Sequence, residues 1–208
     1  MDGTATADRL QEKVSGVFLI AGSLLMAAST FLEFADGMLF SAGFIGRIAY
    51  LCLIPATLGI ARLFRQSAPR LSVFGGLLAT IGCVGGTTFE TAILHEWAER
   101  TAGTPEATLL AITEVVEGRL FPILVLFGIQ FPISLLVLSV GLFRTGAVPR
   151  WAPVLLGSGA VLYPLGHIGS IEPVMHLADL LLVVPMTWIG LRYLTSATLQ
   201  GRAVTATA

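Results

Sequence analysis

The chain has 208 residues, 55% of them hydrophobic and only 12% charged, with a mean hydropathy of +0.85. Soluble domains carry about 25% charged residues, so composition alone makes this an integral membrane protein. The formal net charge of −1 says nothing about partners, but the lack of a basic tract or aromatic-basic interleaving sets nucleic acid aside as a partner.

Residues 1–13 read as a polar cytoplasmic tail. The apolar run that follows Lys13 is longer than the roughly 7–15 residues of a secretory signal, so it is predicted to be a retained membrane helix at 14–34. Five further runs, at 43–64, 71–94, 120–143, 151–168 and 173–195, also approach the ~20 residues that a bilayer demands. The fold class is therefore all-α, a polytopic bundle of six transmembrane helices occupying 14–195. Residues 196–208 read as a disordered cytoplasmic tail. Cys52 and Cys83 lie inside apolar runs and read as small hydrophobes rather than as a disulfide.

Two connections, Arg65 to Arg70 and Arg144 to Arg150, are short, basic and proline-containing. With Arg9, Lys13, Arg62, Arg192 and Arg202 they gather nine of the twelve Lys and Arg residues on one face. The positive-inside rule makes that face cytoplasmic, with both termini inside a bacterial plasma membrane. The longest connection, 95–119, falls outside. Its Thr104-Pro105-Glu106 reads as an N-cap, a proline at the first helical position and an acid in the first turn. A short helix is predicted there, with Leu109, Ile112 and Val116 on an apolar stripe and Glu106, Thr113 and Glu117 on a polar one.

Lys13 leads Glu33 by 20 positions, Arg70 leads Glu90 by 20, and Arg150 leads Glu172 by 22. Leu63-Phe64-Arg65 and Leu142-Phe143-Arg144 precede the two basic turns. A two-helix hairpin used three times would give this pattern. Twenty residues rise about 30 Å, so each glutamate is expected near the outer edge of the hydrocarbon. Glu33, Glu90, Glu172, His95, His167 and His176 crowd that half. Spacings of four and three place Glu172, His176 and Asp179 on one helix face, with Asp179 deepest.

A carboxylate inside a membrane is costly and usually faces a cavity or a partner. Three readings stay open. In the first, these groups wet the outer interface or bond neighbouring helices, as in a structural or assembly subunit. In the second, Asp179, Glu90 and His176 act as acid-base groups in an outward-facing pocket. Glu33, His167, Glu172, His95 and Gln130 then line it, and it binds, converts or transports a small amphiphilic molecule. The third is a haem or metal site on His95, His167 and His176, with no cofactor specified by the sequence. Covalent catalysis lacks a motif: there is no Gly-x-Ser-x-Gly, no P-loop, and no histidine within helical reach of either cysteine.

The glycines at 75, 76, 82, 85, 86, 157 and 159 read as close-packing positions that make the third and fifth spans central. Pro164 with Gly166 is expected to open the end of the fifth span beside His167. Gln130 is expected to face the bundle.

The run Leu142-Phe-Arg-Thr-Gly-Ala-Val-Pro-Arg-Trp-Ala-Pro153 and the helix after it resemble a turn and helix of uncharacterised bacterial multi-pass membrane proteins. That resemblance implies a bacterial plasma membrane and no known activity. A general resemblance to membrane-integrated terpene cyclases rests on acidic residues carried by helices around a lipid-accessible cavity.

Overall fold

The structure, a computed structural model, describes residues 3–35, 37–116, 118 and 121–195. All regular elements among them are helices: α1 Gly3–Glu33, α2 Leu39–Arg62, α3 Pro69–Thr101, α4 Glu106–Val115, α5 Phe121–Gly128, α6 Gln130–Thr145, α7 Trp151–Gly169 and α8 Glu172–Thr195. Six helices are long and apolar enough to cross a membrane, the fourth being α6 with the end of α5. Asp36, Glu117, Arg119 and the tail 196–208, which carries Arg202, lie outside the described residues.

The helices outrun the apolar windows. At about 1.5 Å per residue the 31 residues of α1 and 33 of α3 exceed a hydrocarbon core of about 30 Å, so the polar start of α1 and the end of α3 project beyond it. α5 and α6 meet at Ile129 because Pro132 cannot donate the backbone hydrogen bond that would join them. α4 starts one residue later than the sequence predicts. Pro105 is its N-cap, with ψ at 140°, Glu106 is the first helical residue, and no side chain caps it. α7 does not open at Pro164. It runs to Gly169 and ends on Ser170 in the left-handed region, because Gly166 lets α7 settle on the Met175 backbone of α8.

The spans follow one another around a closed ring: α1 on α2, α2 on α3, α3 on α5 and α6, α6 on α7, α7 on α8, and α8 back on α1. Lipid-soluble helices gain little from burying apolar surface against one another, so close backbone approach carries the packing. A Cβ on Gly16 would meet the Gly190 carbonyl at 2.8 Å, and one on Gly190 the Gly16 carbonyl at 2.7 Å, which seals α1 to α8. A Cβ on Gly85 would meet the Phe127 backbone at 2.6 Å, and Gly82 likewise lies on the Gln130–Phe131 backbone. The tyrosine hydroxyl of Tyr193 donates to the Gly59 carbonyl at 2.7 Å, and Ser29 to the Ala42 carbonyl at 2.9 Å. Outside the ring, Phe44, Leu51, Leu77, Val84, Leu126 and Leu180 are exposed, a surface suited to lipid.

Ser15 against Gly59 and Phe64 against Gly141 bring the start of α1 and the ends of α2 and α6 together. This is the basic end. Trp151 and Trp188 pack edge to face there at 5.3 Å, with Arg192 at 4.9 Å over Trp188, an arrangement typical of a membrane interface. Glu33, Glu96, Glu99, Glu106 and Glu172 gather at the opposite, acidic end, along with the α3–α4 connection.

Candidate functional site

The ring is filled mostly by aliphatic side chains, among them Leu19, Leu53, Leu135, Leu156 and Leu182. Towards the acidic end that filling becomes polar. Tyr50 of α2 and Tyr163 of α7 reach across from opposite sides, and their hydroxyls meet at 2.5 Å. Phe131 of α6 stands edge-on to both rings at 5.5 Å. Tyr50 fits because Gly86 of α3 has no side chain, since a Cβ there would overlap the phenol. Tyr163 stacks on His167 at 3.9 Å, and the His167 Nδ1 lies 3.0 Å from the Tyr163 carbonyl.

Both membrane carboxylates lie within electrostatic range of this tyrosine pair. Asp179 of α8 is fully buried, and neither of its oxygens receives a hydrogen bond. The Thr30 hydroxyl of α1 is within reach of it but is turned to the Met26 carbonyl at 3.3 Å. Glu90 of α3 lies against the bare backbone of Gly46, where a methyl group would overlap its carboxylate, and its Oε2 is buried without a partner. Unpartnered oxygens of this kind cost free energy, because no water in the hydrocarbon replaces the missing donors.

His176, one turn before Asp179, is clamped by aromatics. Its ring stacks on Phe31 at 4.1 Å and meets Phe34 edge-on at 5.8 Å. Its Nε2 is 3.6 Å from Glu172 Oε1, while its Nδ1 is buried and unpartnered. Glu33 ends α1, exposed, within electrostatic range of Glu90 and Asp179.

The structure thus brings together Glu90, Asp179, His176, His167 and Glu33, from α1, α3, α7 and α8, with α2 contributing Tyr50. His95 is exposed near the end of α3. Gln130 is half-buried and donates to the Leu126 carbonyl of its own span at 3.1 Å. Among the described residues no three His, Cys, Asp or Glu side chains converge as metal ligands would, so His95, His167 and His176 do not form one set. Cys52 and Cys83 are free thiols. Two recesses, of about 380 and 260 Å³, lie at the basic end, away from these acids.

Comparison with protein-family models, with curated proteins and with solved structures gave no match for this chain.

The residues that sequence reasoning missed are Tyr50 and Tyr163. Tyrosines normally sit at membrane interfaces, and a tyrosine in mid-span needs a buried partner for its hydroxyl. Two such tyrosines, each deep in an apolar run, were the available signal. The paired glycines at 46 and 86 were a second one, visible only once the helices are placed.

Proposed function

We propose that this protein binds a small amphiphilic molecule inside its six-helix ring, with Glu90 and Asp179 accepting hydrogen bonds from a donor-bearing polar end. His176 stands ready to exchange a proton beside them, and the tyrosine pair links the two acids across the ring. The observation that carries this reading is the set of buried atoms without partners: Glu90 Oε2, both oxygens of Asp179 and Nδ1 of His176. Two helices, α3 and α8, supply them, and a headgroup that donates hydrogen bonds would satisfy all three acceptor oxygens at once. By the positive-inside rule the site opens toward the outer face, and the membrane is a bacterial plasma membrane.

The reading predicts a charge class. In lipid nanodiscs, dodecylamine should raise the unfolding temperature of the protein while dodecanoate does not, because only the amine presents N–H donors and a positive charge to the acids. At a hundredfold excess over its dissociation constant such a ligand stabilises by about 2.7 kcal/mol, enough to see. The shift should vanish in Glu90→Gln combined with Asp179→Asn. Equal shifts for amine and carboxylate, or a shift that survives the double substitution, would sink the assignment.

A further inference from the structure

The two recesses at the basic end have no part in the site above, yet they share a design. One lies between α2 and α3, with Arg62 and Arg65 at its mouth and Leu58, Val73 and Leu77 along its wall. The other lies between α6 and α7, with Arg144 at its mouth and Val140, Phe143 and Val154 along its wall. A Leu-Phe-Arg triplet supplies an arginine to each, Leu63 to Arg65 in the turn after α2 and Leu142 to Arg144 in the last turns of α6. The three arginines are exposed, and among the described residues none forms an ion pair with a carboxylate. Arg150 adds a further cation 5.9 Å over the Phe143 ring.

An arginine at the membrane surface above an apolar furrow between two helices is complementary to one class of molecule: a phosphate bearing acyl chains. The guanidinium offers a planar fork for the phosphate, and the furrow takes the first methylenes of a chain. Among the described residues the acids lie toward the other end of the ring apart from Asp8 and Glu12 near the start of α1, and none lines either recess. We infer that the two furrows are binding sites for anionic phospholipid, one on each of two helical hairpins, at the basic face.

The test uses the full chain in nanodiscs made from equal parts of phosphatidylglycerol and phosphatidylcholine, released into the gas phase for native mass spectrometry. Wild-type protein should retain phosphatidylglycerol at least fivefold over phosphatidylcholine. Arg62→Ala with Arg65→Ala and Arg144→Ala should reduce that preference by about fivefold for each arginine that contributes. The matching lysine substitutions, which keep the charge, should retain much of it and guard against a folding defect in the alanine variant. Arg100→Ala, at the acidic end, should change nothing. Equal retention of the two lipids by the wild type overturns the inference, as does a preference that persists in the triple alanine variant. Displacement of the lipid by excess inorganic phosphate also overturns it, because the furrows would then hold only the phosphate.

Discussion

The Tyr50–Tyr163 hydrogen bond allows the polar centre to be tested without any ligand. Tyr163→Phe leaves both aromatic rings and the edge-on contacts of Phe131 in place, and removes one hydroxyl. The hydroxyl of Tyr50 then stays buried with no partner in a span that water does not reach. Leaving one donor or acceptor unsatisfied costs about 1–3 kcal/mol in proteins generally. Coupling across membrane helices averages about 0.6 and reaches about 1.7 kcal/mol. Each single variant should therefore lose about 1–2 kcal/mol of stability, measured by titrating dodecyl sulfate into mixed micelles and following helicity. Tyr50→Phe with Tyr163→Phe removes both hydroxyls together, so its loss should fall short of the sum of the singles by about 1 kcal/mol. Losses that add to within about 0.5 kcal/mol would show that the two hydroxyls do not depend on each other, and the bridge across the ring would be refuted.

Other substitutions probe the remaining parts. Gly46→Ala places a methyl group where the Glu90 carboxylate lies, and should abolish the dodecylamine shift while lowering stability by about 1–3 kcal/mol; an unchanged shift means Glu90 is not held there. Asp179→Leu replaces an unpartnered buried acid by an apolar side chain of similar reach. It should raise the stability of the ligand-free protein by about 1 kcal/mol and end amine binding, whereas a loss of stability would mark Asp179 as a structural partner. Gly190→Leu forces α8 off α1 and should cost more than about 3 kcal/mol or prevent folding, read by the yield of monodisperse protein. For orientation, single cysteines at Ser67 and Thr145 in a chain lacking Cys52 and Cys83 should be shielded from an impermeant thiol reagent in intact cells, and one at Thr101 should react. Labelling at Ser67 would invert the orientation.

The six spans were readable because bilayer thickness sets a length that few other constraints imitate, and the windows beginning at 151 and 173 lie within a residue or so of α7 and α8. Their ends were less readable. The apolar window stops where hydropathy drops, but backbone hydrogen bonding continues, so α3 carries His95, Glu96 and Glu99 on helical turns past the run that ended at 94. The i and i+4 spacing of Glu172 and His176 gave their contact directly, since both are on one helix. The depth expected for Glu90 and Asp179 came from helix rise alone. Helix rise is silent on azimuth, and azimuth is what aims Glu90 at Gly46, Tyr50 at Gly86, and His176 at Phe31. Hydropathy periodicity cannot supply it here: on lipid-facing helices the inner and outer faces are both apolar, and the small residues that do mark the inner face say nothing about which helix they meet. Gln130 shows the same limit, for a polar side chain in mid-span found its partner within its own span, at Leu126 of α5, rather than across the ring.

Glu90 and Asp179 together are proposed to receive the polar end of a ligand, and this can be tested on the acids directly. Infrared difference spectroscopy of the protein in nanodiscs, with and without dodecylamine, observes those carboxyl groups themselves. The wild type should show difference bands in the carboxyl region, one part of which disappears in Glu90→Gln and another in Asp179→Asn, with both parts gone when the substitutions are combined. Bands that persist unchanged in the combined variant, or amine binding by the wild type with no carboxyl band at all, would contradict the proposal.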